Sequence, residues 1–119
     1  MGYDTKIHVG TKSTLLEPVL LEWVSMDLGK LGDSRLYNLK SKYKDTPCAI
    51  FASDGDTHIT EDCYGDKLIA IPLKEFLKVL KQDNEDYYKG NHPRVDWAQI
   101  LLNRLSKERE DLVVVMYGH

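Results

Sequence analysis

A chain of 119 residues that is 42% hydrophobic and 29% charged carries enough apolar surface to fold as one domain around its own core, and it lacks the composition of a disordered segment. Nineteen acidic residues against 16 lysines and arginines give a net charge of −3, which argues against a nucleic-acid-binding face and is too balanced for a mimic of nucleic acid. No apolar run has the length of a membrane helix, no secretory leader opens the sequence, and Cys48 and Cys63 are too few and too far apart for a disulfide scaffold or a zinc pair, so a cytoplasmic protein with no membrane association, metal or cofactor is expected.

Residues 3–10 place Thr5, Ile7 and Val9 on one side and Lys6 and His8 on the other, which predicts a half-buried strand closed by Gly10. Residues 14–28 admit two readings. Leu15, Leu16, Val19, Leu20, Trp23 and Val24 recur at helical spacing behind a Thr14/Glu17 capping box, which suits a helix over residues 14–25. Pro18, and the alternation of Val24, Met26 and Leu28 into Gly29, suit a turn followed by a strand over residues 19–28, and this second reading is preferred. Ser34 then supplies a helix N-cap, Leu36, Leu39 and Tyr43 an apolar face, and Lys40, Lys42 and Lys44 a cationic C-terminal end that suits the helix dipole, before Pro47 stops the helix.

Residues 48–53 and 56–61 alternate on either side of Asp54-Gly55, the strongest short hairpin signal, in which both turn residues would take positive φ. A two-residue loop sets Ile50 opposite Ile59 and Phe51 opposite His58; a slipped register would bring Cys48 opposite Cys63 but groups the apolar residues less well. Residues 67–71 read as a short buried strand. Pro72 opens a helix with Leu73, Phe76, Leu77 and Leu80 as its core stripe. Residues 83–93 read as a polar loop. Asp96 and Gln99 suggest a capping box for a last helix with a broad apolar face of Trp97, Ile100, Leu101, Leu102 and Leu105. Residues 112–117 form an unbroken apolar run, as expected of a strand covered on both faces. The predicted fold class is α+β, a mixed or antiparallel sheet of about four to six strands with two or three helices packed against it, in a single domain.

The chemically able side chains gather between residues 54 and 66. Asp54 and Asp56 could share a divalent cation, but no EF-hand spacing follows, and aspartate is favoured in such turns for its own hydrogen bonding. His58-Ile59-Thr60 is the triplet that two-histidine phosphoesterases use in pairs, and the chain has one. Cys63 with His58 and Asp62 has the residue types of a thiol nucleophile, base and orienter, at a spacing that enforces no geometry. Tyr87, Tyr88, His92, Arg94 and Trp97 gather around the polar loop, and aromatic residues with arginine are enriched at the energetic centres of protein interfaces. The expected function is therefore that of a small acidic interaction protein, of the inhibitor, immunity or phage-regulator kind, binding another protein without catalysis. Asp54, Asp56, His58, Asp62, Tyr64, Tyr87 and Tyr88 are the candidate binding residues. The alternative is a divalent-metal phosphoesterase built on the rim of residues 54–66.

Overall fold

The computed structural model describes residues 3–13, 17–32 and 34–119. In chain order its elements are β1 (Asp4–Ser13), β2 (Val19–Lys30), α1 (Leu36–Lys42), β3 (Ile50–Phe51), β4 (His58–Ile59), β5 (Ile71–Pro72), α2 (Leu73–Asp83), α3 (Pro93–Glu108) and β6 (Leu112–Gly118). The fold is α+β: an antiparallel sheet in the order β2-β1-β6-β5, with β3 and β4 paired as a separate two-stranded ribbon. No helix among the described residues is long and apolar enough to cross a membrane.

The sheet is covered on both sides. Ile7 and Val9 lie opposite Met116 and Val114, and with Leu112 they pack against Phe76 and Leu80 of α2 and Ala98 and Leu102 of α3. On the reverse face Val115 packs with Leu20, Cys48, Ile50, Leu68 and Ala70 beneath the β3–β4 ribbon. Each large side chain fully buried in these two layers contributes about 1.5–3 kcal/mol. This double burial is why residues 112–116 lack the polar alternation of β1, and it makes β6 an interior strand between β1 and β5.

Residues 19–30 are strand, so the preferred reading of this stretch holds; residues 14–16 of the helical alternative lie outside the described residues. The helical spacing loses because Val24 and Met26 bury against the core as cross-strand partners of Val9 and Ile7. Two register shifts leave Trp23 and Leu28 as extra residues of β2. At the first shift a Cβ on Gly10 would sit 2.0 Å from the Leu21 carbonyl oxygen, so the backbones meet at a distance only glycine allows.

The β3–β4 register is the expected one, Ile50 against Ile59 and Phe51 against His58. The loop that makes it differs. Ala52 donates to the Thr57 carbonyl at 2.8 Å, so the loop spans residues 53–56, and of Asp54 and Gly55 only Gly55 takes positive φ, at 78°. The Asp54 carboxylate replaces the missing turn geometry by accepting from the Asp56 and Thr57 backbone N–H groups at 2.9 and 2.8 Å. The strand expected over residues 67–71 joins the main sheet only at its end, as β5; the Leu68 and Ala70 amides instead donate to the Thr60 and Thr46 carbonyls.

Two further expectations are corrected. The polar loop expected over residues 83–93 shrinks to residues 89–92, because α2 runs on through a π-helical turn, Asn84–Tyr88, and ends at Lys89 with φ of 51°. Asp83 is polar but fully buried, accepting from the Ser34 hydroxyl at 2.6 Å and the Arg35 amide at 3.1 Å; that tertiary partnership, invisible locally, keeps the segment helical. Ser34 in turn caps α1, its hydroxyl accepting from the Leu36 amide at 3.1 Å. The last helix begins at Pro93 with His92 as its cap, Nδ1 accepting from the Val95 amide at 3.3 Å, while Asp96 accepts from the Asn84 side chain. The earlier start goes with a different inward face. Val95, Ala98 and Leu102 are buried, and at roughly 100° per residue Trp97 and Ile100 fall on the outer side, 59% and 70% exposed.

Candidate functional site

The residues singled out on the 54–66 rim do not converge. Asp54 is exposed, and hydrogen bonds from Thr57 and Asp56 hold its carboxyl down to about 2. Asp56 is exposed at the loop tip. His58 stands edge-on to Phe51 with ring centroids 4.9 Å apart, its Nδ1 3.9 Å from Glu17. Asp62 turns inward and is buried. No group of three or more His, Cys, Asp or Glu side chains is placed to hold a metal ion among the described residues. Cys63 meets neither His58 nor Asp62 through its thiol; its sulfur lies 3.2 Å from the Tyr117 hydroxyl, and both cysteines are free. Tyr87 is exposed under the Arg35 guanidinium, 4.7 Å from its ring centroid. Tyr88 is half-buried, donates to the Leu31 carbonyl, and is pushed up to about 12 by burial.

Asp62 organises the ground beneath the rim. Its Oδ1 accepts from the Tyr64 and Asp66 amides at 2.9 and 3.0 Å, closing the turn between Glu61 and Lys67, which bridge in antiparallel fashion. Its Oδ2 accepts from the Tyr3 hydroxyl and the Gly118 amide, both at 3.2 Å, with the Lys40 ammonium 3.8 Å away. One carboxylate thus ties the start of β1, the end of β6 and α1 to a single turn. Gly118 is required there, since a Cβ would lie 2.2 Å from the Tyr3 hydroxyl oxygen. Burial, and then the Asp62 charge, raise the Tyr3 phenol well above the usual tyrosine range.

Around this anchor runs a groove. Tyr3, Lys30, Gly32, Tyr37, Lys40 and Asp66 line a cleft of about 440 Å³, and Tyr37, Lys40 and Asp66 also border an adjoining cleft of about 520 Å³ that reaches Lys44 and Lys67. Tyr3 packs edge-to-face on Tyr37 at 5.6 Å and against Tyr64 at 4.7 Å. Of the sequence candidates, Asp62 and Tyr64 join this site. Tyr3, Tyr37, Lys30 and Lys40 carry no local signal of this site, because nothing in the nearby sequence connects a strand-leading tyrosine to a carboxylate 59 residues away.

A second surface is apolar. Arg94 at the start of α3 lies 3.7 Å from Asp27 near the end of β2, and Arg109 just after α3 covers the Trp23 ring at 5.2 Å, so α3 runs antiparallel alongside β2. β2 is an edge strand of the main sheet, and it exposes Leu21 and Trp23, each 48%, while α3 exposes Trp97 and Ile100 on its outer side. Compared with protein-family models, with curated proteins and with solved structures, the chain matches none.

Proposed function

We propose that this chain is a cytoplasmic interaction domain that binds another protein without catalysis, in the manner of an inhibitor, an immunity protein or a phage-type regulator. One observation carries the reading: four large apolar side chains, Leu21 and Trp23 on β2 and Trp97 and Ile100 on the outer side of α3, are 48–70% exposed. Large apolar side chains left in water forgo about 25 cal/mol per Å², and Trp97 with Ile100, three residues apart on the outer face of α3, form the kind of exposed apolar patch that marks a docking surface. Arg104 and Arg109 at the end of α3 add the Trp-with-Arg composition that dominates interface energetics. The phosphoesterase alternative draws no comparable support, since Asp54 is occupied by its own turn and Asp62 by Tyr3, Tyr64, Asp66 and Gly118.

The test is affinity capture from the native cytoplasm with the tagged wild-type chain and with Trp97→Ser/Ile100→Ser, after circular dichroism has established that both fold alike. The proposal expects a protein retained by the wild type and lost by the double variant. Capture of the same proteins by both chains, or of none by either, would overturn it.

A further inference from the structure

The groove beside Asp62 concentrates positive charge on a chain whose net charge is −3. Lys30, Lys40, Lys44 and Lys67 line its two joined clefts, against Asp66 on the rim and Asp62 beneath it. Its middle is aromatic: the Tyr3 and Tyr37 rings meet edge-to-face, and Tyr64 extends the wall outward. The first cleft, at about 440 Å³, is within the size range of a small-ligand site, and the adjoining cleft of about 520 Å³ extends it into a channel suited to an extended segment.

Building on the protein-binding reading above, we infer that this groove holds an extended acidic segment of the protein partner, with one aromatic or large apolar side chain seated against Tyr3 and Tyr37 and flanking carboxylates facing Lys30, Lys44 and Lys67. Charge complementarity selects an acidic occupant, and the one carboxylate that lines the groove, Asp66, selects a peptide over a nucleic acid. A peptide brings backbone N–H donors for Asp66 along with its own carboxylates for the lysines. A phosphate backbone offers acceptors alone and meets Asp66 as a like charge. Lys40 is the fixed member of the set: its ammonium is 3.1 Å from the Tyr3 hydroxyl and 3.6 Å from Asp66, so it holds the aromatic wall in place. Lys44 and Lys67 are exposed and their side chains make none of the Asp62 hydrogen bonds. Because Lys67 closes the Asp62 turn through its backbone bridge to Glu61, Lys44→Glu alone is read beside the double variant.

The experiment is fluorescence anisotropy with three labelled probes: a pool of short glutamate-rich peptides with Phe, Tyr, Trp or Leu at the centre, the same pool with lysine for glutamate, and an oligothymidylate of equal charge. The acidic pool is expected to bind, to weaken as salt is raised, and to lose roughly tenfold in affinity in Lys44→Glu/Lys67→Glu. Trp97→Ser/Ile100→Ser, altered on the other surface, is expected to bind the pool as the wild type does. No binding of the acidic pool, equal binding by the lysine variant, or preference for the oligothymidylate overturns the inference. Its fate is separable from that of the broader reading. Partner capture that ignores Lys44→Glu/Lys67→Glu removes the groove and leaves the protein-binding function standing. Binding of the acidic pool alongside a failed capture does the reverse.

Discussion

Replacing Asp62 by alanine tests whether one buried carboxylate holds the two ends of the described chain together. The substitution strips the acceptor from the Tyr3 hydroxyl and from the Tyr64, Asp66 and Gly118 amides, and leaves Lys40 with the exposed Asp66 in place of its buried carboxylate partner. Gly118 is buried and its amide is left unsatisfied, whereas Tyr64 is exposed and its amide can turn to water. Removing one partner of a buried, hydrogen-bonded charge costs about 3–5 kcal/mol. Because the Lys40 ammonium is partly open to solvent, the low end, about 3 kcal/mol, is expected. For a domain of this size that corresponds to a fall in Tm on the order of 10 °C. Asp62→Asn is expected to lose less, since an amide oxygen can still accept from two of the four donors. Thermal and urea unfolding followed by circular dichroism reads both variants. A loss below about 1 kcal/mol for Asp62→Ala would mean that water replaces the carboxylate, and the account of this turn as a clamp would fail.

Gly118→Ala is expected to cost about 1–3 kcal/mol by driving a methyl group into the Tyr3 hydroxyl, and most of that cost should vanish in a Tyr3→Ala background; equal costs in both backgrounds would refute the contact. Asp83→Ala is expected to remove about 3 kcal/mol by breaking the ion pair with the Arg35 guanidinium and orphaning the Ser34 hydroxyl and the Arg35 amide, with amide exchange rising first at the start of α1 and in residues 84–88. Asp54 has a folded pKa of about 2, below its ordinary 3.8, so its contribution to stability is complete above the ordinary value and is lost as pH falls toward about 2. Carboxyl-detected NMR titration should place its midpoint there, and Asp54→Asn should remove that part of the acid-side loss of stability; a midpoint near 3.8 would contradict the hydrogen bonds drawn from Asp56 and Thr57.

The site was less legible than the fold, and the residues explain why. Asp54 looked able to hold a metal because aspartates at a turn and at a metal site are alike in sequence; only the hydrogen bonds within the loop show that this one serves its own turn. Asp62 was picked out for its chemistry, and its burial could be learned only from Tyr3 and Gly118, which arrive from opposite ends of the described chain. Large apolar residues at helical spacing, Trp97 and Ile100 read as a core face. That side of α3 faces solvent because Val95, Ala98 and Leu102 occupy the inward side, which is what turns a core expectation into a candidate surface.

By itself the sequence determined what depends on short-range periodicity: the α+β class, the alternating first strand, the pairing of Ile50 with Ile59, the Leu73–Leu80 stripe of α2, and the unbroken apolar run of an interior β6. These follow from side-chain alternation along strands and the helical repeat, which neighbouring residues fully specify. Tertiary structure alone decided the rest. The two register shifts of β2 are set by its pairing with β1, the segment after Asp83 is helical through Ser34 and Arg35, and the groove exists where Tyr3, α1 and the Asp62 turn are brought together across the sheet. In each case the deciding partner lies far away in the chain, and no local pattern encodes it.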